Sequence, residues 1–187
     1  MLYKVLKIIL YPIFNLVFPY KVYGKDNIPK GGKYIVASNH ISLLDPIYLV
    51  MVFPKIINFI GKKELFDKPI LGAFLRGVHV ISVDRSTIDR NAVRHSLEVL
   101  NNNEILGIFP EGTRSKDLKP LPPKPGVALF ALKGECPIIP VRLQGPVKPF
   151  RKNNIYIGEP FYLDRKKGNM KFQARYIMKN IIKLGDE

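Results

Sequence analysis

His40 and Asp45 stand on either side of Ile41-Ser42-Leu43-Leu44, directly after the apolar run Tyr34-Ile35-Val36-Ala37. A neutral imidazole with one free ring nitrogen can take a proton from a hydroxyl, provided its other nitrogen is held by an acceptor. Asp45 can be that acceptor if the intervening residues curl, as a loop allows and a continuous strand forbids. The alternative is that Asp45 only caps a helix and His40 is a satisfied buried histidine. A second constellation, Phe109-Pro110-Glu111-Gly112-Thr113-Arg114-Ser115, follows another apolar run, Ile105 to Ile108. In it Gly112 permits backbone angles that aim N–H groups at an anion, Thr113 adds a hydroxyl and Arg114 supplies a planar fork. Glu111 would repel an anion, so its expected task is to hold the loop or orient a basic neighbour.

These two motifs resemble those of the 1-acylglycerol-3-phosphate acyltransferase family of membrane glycerolipid enzymes. The resemblance extends to Gly61-Lys62-Lys63-Glu64-Leu65-Phe66, to Gly77 through Arg85 and to Cys136-Pro137-Ile138-Ile139-Pro140-Val141, so it covers roughly Val22 to Val141. It implies His40 as general base, Asp45 as the residue that orients it, Gly112-Thr113-Arg114 as the phosphate-binding segment and Asn39 in support. Lys62 is added by alignment to the family's pattern. Arg85, at a strand end, is a further candidate because its guanidinium suits a phosphate, the alternative being a structural pair with Asp84 or another carboxylate. The reaction so implied moves an acyl group from a thioester of coenzyme A or acyl-carrier protein to the free hydroxyl of lysophosphatidic acid. Glycerol 3-phosphate or another lysophospholipid remains an alternative acceptor, and no cofactor or metal is expected. Ser42, close to His40, is a rival covalent nucleophile, but the family comparison and the absence of a Gly-x-Ser-x-Gly elbow speak against it.

The elements that must position these residues follow from periodicity and punctuation. Tyr34 to Ala37 reads as a buried strand, Asp45-Pro46 as the N-cap and first position of a helix, and Ile56 to Ile60 as a strand ending at Gly61. Lys63 to Arg76 reads as a helical or broken-helical segment around Pro69, and Val78 to Val83 as a strand. Thr87 is expected to cap a helix that Asn101-Asn102-Asn103 ends, and Gly126 to Lys133 is a helix closed by Gly134. Strands are expected at Ile138 to Leu143 and Ile155 to Gly158, an edge strand at Val22 to Gly24, and an amphipathic helix from Asn169. Alternating strands and helices predict one α/β domain, a largely parallel or mixed sheet flanked by helices.

With 187 residues and 47% hydrophobic content the chain can bury a sizeable core. One cysteine and three scattered histidines give neither an intrachain disulfide nor a metal cluster. The formal charge of +15 calls for an anionic partner. Nucleic acid is disfavoured, since no recognition helix, zinc finger or aromatic RNA-binding signature gathers the basic residues. An anionic phospholipid membrane is the expected partner, and a non-catalytic lipid-binding module is the reading of a different class. Residues 1–20 are expected to anchor the chain and 21–187 to form the catalytic domain. Lys4, Lys7, Pro12 and Asn15 interrupt the apolar stretch, so it reads as an interfacial or half-inserted helical segment, divided or kinked at Pro12, rather than a full span. The cytoplasmic face of a bacterial inner membrane is the implied location.

Overall fold

In the computed structural model, which describes residues 2–186, seven strands form one mixed sheet in the order β1-β7-β6-β2-β5-β3-β4. The strands are β1 (Tyr20–Tyr23), β2 (Tyr34–Ser38), β3 (Ile57–Lys62), β4 (Ile81–Val83), β5 (Ile105–Ile108), β6 (Ile138–Leu143) and β7 (Asn153–Ile157). β6, β2, β5, β3 and β4 run parallel; β7 is antiparallel to β6, and β1 runs parallel to β7 at the edge. This is the α/β domain with a mixed central sheet that the sequence predicts.

β2 is buried along its whole length because both of its faces are covered. Tyr34 and Val36 point into one core, with α1 (Leu2–Val17) and α2 (Asp45–Val52), which contribute Phe14, Tyr48 and Leu49. Ile35 and Ala37 point into the other, with α4 (Arg90–Asn101), α5 (Gly126–Gly134) and α6 (Met170–Ile182). The period of two thus divides one apolar strand between two helix layers. From β2 the chain passes through α2 to β3, on the far side of β5; from β5 it passes through α5 to β6, on the far side of β2. The two connections leave neighbouring strand ends for opposite faces of the sheet. Such a switch point leaves a crevice at the carboxyl edge.

Several local expectations are corrected. Asp45 does not cap α2: the N-cap is Leu44, and Asp45 is the first helical residue, its carboxylate turned back toward the loop. Asp89, not Thr87, caps α4 by accepting from the Ala92 N–H at 2.9 Å. The segment before β4 is no strand, because His79 has a left-handed backbone (φ 64°) that ends α3 (Pro69–Gly77), and only Ile81–Val83 pairs. α5 includes Gly134, and it is Glu135 that takes the left-handed position after it. α6 begins where expected, and Asn169 is its N-cap, accepting from the Phe172 N–H at 3.0 Å.

α1 runs unbroken through Pro12, which therefore does not divide it. Among the described residues no helix is long and apolar enough to cross a membrane. α1 instead lies along the domain, with Lys7 Nζ donating to the Phe53 carbonyl at 2.6 Å, and Phe14 edge-on to Tyr48. Its Ile8, Ile9, Ile13 and Leu16 side chains stay exposed.

Candidate active site

The loop between β2 and α2 is built around the Asp45 carboxylate. Its Oδ2 accepts from His40 Nδ1 at 2.8 Å, from the Ile41 N–H at 2.6 Å and from the Ser42 N–H at 2.7 Å. Three donors on one oxygen wind the loop into the curl that the sequence alone could only require. Asp45 is fully buried, while the His40 side chain keeps 18% of its surface. A carboxylate at Nδ1 fixes the proton on that nitrogen and leaves the lone pair on Nε2. Ser42 Oγ accepts from the Leu44 N–H at 3.1 Å, which makes it part of the turn.

Other residues hold the ring from outside its own loop. Asn39 bonds Leu143 twice, donating to its carbonyl at 2.9 Å and accepting from its N–H at 2.8 Å, so a side chain continues the β2–β6 ladder just before His40. The imidazole stacks on Phe109 at 4.1 Å between ring centroids, and Phe109 stacks on Phe59 at 5.9 Å. Gly107 makes room for this stack. A Cβ there would stand 2.6 Å from the Phe59 ring.

The 109–115 loop is tied to the histidine through the backbone. The Ser115 N–H donates to the His40 carbonyl at 2.8 Å, and the His40 N–H donates to Glu111 Oε1 at 3.3 Å. Glu111 is buried and its Oε2 has no partner among the described residues. Burial pushes its carboxyl up to about 7, against the pull of the His40 and Leu121 N–H groups and with help from the Asp45 charge. Asp45 Oδ1 is likewise buried without a partner among the described residues. Unpartnered buried oxygens cost stability and gather where a loop serves chemistry rather than packing.

Gly112 has φ 69°, which favours glycine, and a Cβ there would meet the Lys124 side chain at 2.8 Å. Thr113 and Arg114 are exposed, and Arg114 forms no ion pair among the described residues. Arg85 donates to the Gly112 carbonyl, and among the described residues it forms no ion pair with Asp84 or another carboxylate, although the Glu64 charge acts on it. Lys62, at the end of β3, pairs with Glu64 at 2.9 Å, both exposed. The structure therefore brings His40, Asp45, Asn39, Glu111 and the Gly112-Thr113-Arg114 segment to one edge, with Arg85 bracing that segment and Lys62 farther along at the end of the next strand. Sequence reasoning missed Phe109 as the surface under the ring and Lys124 as a cation beside Gly112. The first was visible only as the start of the second motif; the second lies in a proline-rich stretch with no signal of its own. Cys136 is buried, with its thiol pushed up to about 11, as befits a packing residue.

An arrangement of this kind can take a proton from a hydroxyl held beside an anionic group. Comparison with known proteins adds a chemistry. The Acyltransferase family model matches residues 19–144. A 1-acyl-sn-glycerol-3-phosphate acyltransferase of Bacillus subtilis (strain 168) is 36% identical over 148 residues, covering 76% of this chain and 73% of that protein. One from Helicobacter pylori is 40% identical over 124 residues, 64% of this chain and 52% of that protein, so the chain spans about half the length of that relative. The crystal structure of the 1-acyl-sn-glycerophosphate (LPA) acyltransferase from Thermotoga maritima superposes with a TM-score of 0.78 at 28% identity, covering 96% of this chain and 76% of that one.

Proposed function

This chain belongs to the Acyltransferase family, and on that footing we propose that it transfers an acyl group from a thioester to the free hydroxyl of 1-acylglycerol 3-phosphate, forming phosphatidic acid for phospholipid synthesis. The observation that supports the reading is the double tie between the His40 backbone and the 109–115 loop, the segment that also carries Arg114, a guanidinium without an ion pair among the described residues. His40 Nε2 takes the proton of the acceptor hydroxyl as its oxygen attacks the thioester carbonyl carbon. The tetrahedral adduct collapses, the carbon–sulfur bond breaks, and the imidazolium returns the proton to the departing thiolate. Arg114, with Thr113 and the Gly112 backbone, holds the acceptor phosphate, so that binding at a remote group aligns the hydroxyl with the base. Arg85 supports the segment through its Gly112 contact, and Lys62 can turn from Glu64 to a phosphate.

The donor is an acyl thioester of coenzyme A or acyl-carrier protein, and no cofactor takes part in the steps above. The enzyme works at an anionic phospholipid membrane on the cytoplasmic side, with residues 1–20 as the attachment. Support comes from the exposed apolar side chains of α1 and the formal charge of +15. Purified protein supplied with each thioester and a panel of acceptors tests the whole reading. Phosphatidic acid should form from 1-acylglycerol 3-phosphate, and its absence with both donors would sink the proposal.

A further inference from the structure

At the carboxyl edge of the sheet three loops end in exposed apolar residues. Leu43, in the His40 loop, is 71% exposed; Leu118, in the segment after Ser115, is 44% exposed; Phe150, between β6 and β7, is 75% exposed. The loops touch one another. Gly145 lies between the Ile41 and Leu118 side chains, so close that a Cβ on it would stand 2.7 Å from Ile41 Cδ1 and 3.1 Å from Leu118 Cδ2. The Phe150 N–H donates to the Val17 carbonyl at 2.6 Å, which joins this rim to the end of α1, beside the exposed Leu16.

Two further features separate the rim from ordinary surface. Leu118 and Phe150 both have φ 58°, a left-handed backbone that bulky apolar residues rarely adopt and that Gly or Asn would fill without strain. Holding two such residues there, side chains outward, opposes both backbone preference and hydration. Around them Lys116, Lys119, Lys148, Arg151 and Lys152 are exposed and free of ion pairs among the described residues, with Asp117 as the acid of the same segments. Apolar tips ringed by cations match the interface of an anionic bilayer, where chains insert and headgroup phosphates meet lysine and arginine.

We infer that the rim formed by Leu118, Phe150 and Leu43 is a further lipid-docking surface, adjoining the end of α1, which seats the mouth of the active site on an anionic membrane. A lysophospholipid then reaches the His40 loop from the bilayer without its acyl chain crossing water. This deepens the proposed function and rests on its acceptor being a lipid.

Two measurements on the full chain test it. The sequence has no tryptophan, so Phe150→Trp introduces a single reporter. On vesicles of phosphatidylcholine with about one third phosphatidylglycerol its emission should shift to the blue and be quenched by brominated acyl chains, more weakly as salt rises. An unchanged spectrum overturns the inference. Leu118→Asn combined with Phe150→Asn keeps residues that tolerate the left-handed backbone, and should lower vesicle affinity about tenfold or more. Transfer to acceptor presented in vesicles should fall with it, while transfer to a short-chain acceptor dissolved as monomer stays unchanged. Equal losses on both acceptor forms, or undiminished vesicle binding, would overturn the docking role. A wild-type chain inactive on both forms would defeat the functional reading instead, and the fluorescence arm would still decide the rim.

Discussion

The loop after β2 and the loop after β5 leave adjacent parallel strands at the same edge, yet they place charge in opposite ways. The first buries its acid completely and spends one oxygen of it on three N–H donors, one of them the histidine ring. The second buries an acid that takes the His40 N–H at a longer 3.3 Å, keeps one oxygen without a partner among the described residues, and leaves its cation, Arg114, in the open. A proton acceptor must be fixed before substrate arrives, because its ring orientation and tautomer decide whether it works. A phosphate fork need only be reachable, since the phosphate itself completes its partners. On the function proposed above, the contrast separates a preformed group from one that substrate finishes.

Removing the preformed side should have the largest effect. His40→Ala is expected to lower turnover by roughly 10²–10⁴-fold with the circular dichroism spectrum intact. Asp45→Asn should come close to it, because the amide no longer favours the Nδ1–H tautomer; turnover near the wild-type level in either variant would dissolve the distinction between the loops. On the open side Arg114→Ala should act mainly on the Michaelis constant of the phosphorylated acceptor, by about 10–100-fold, the range of a lost charge-assisted hydrogen bond. A variant slowed only in turnover would place Arg114 with the fixed groups. Asn39→Ala probes the frame: it strands the Leu143 N–H and carbonyl and should cost about 2 kcal/mol in urea unfolding. A cost near zero would mean that Asn39 does not hold the loop.

The smallest effect concerns Glu111, whose carboxyl burial raises from 4.5 to about 7. A proton held more tightly in the folded chain than in the unfolded one stabilises the fold fully below about 4.5, and this contribution is lost as pH rises through about 7. Glu111→Gln cannot ionise. Its stability relative to wild type should therefore improve as pH climbs across that window, and a difference constant with pH would show that Glu111 does not titrate there.

Much of the scaffold was legible because one rule sufficed for each piece. Apolar runs between turn residues mark β2, β5 and β6, and Asn169 marks the start of α6. What was not legible depended on which of several competent groups the tertiary structure selects. Asp45 can cap a helix or hold a ring, and three nearby N–H donors on the loop decide for the ring. Thr87 and Asp89 can each cap α4, and the bond to Ala92 goes to the carboxylate. His79 gives no sign in sequence of its left-handed backbone, so β4 is shorter than alternation suggests. In the site the two motifs were visible, but not that Arg85 would spend its fork on the Gly112 carbonyl or that Phe109 would lie under the imidazole. Those outcomes need contacts between segments far apart in the chain.

Because His40 accepts from Ser115 and donates to Glu111 through its own backbone, the histidine's place is set by the neighbouring loop as much as by its own strand. Insertions between Phe109 and Ser115 would lengthen the splint itself and displace the imidazole along with the fork.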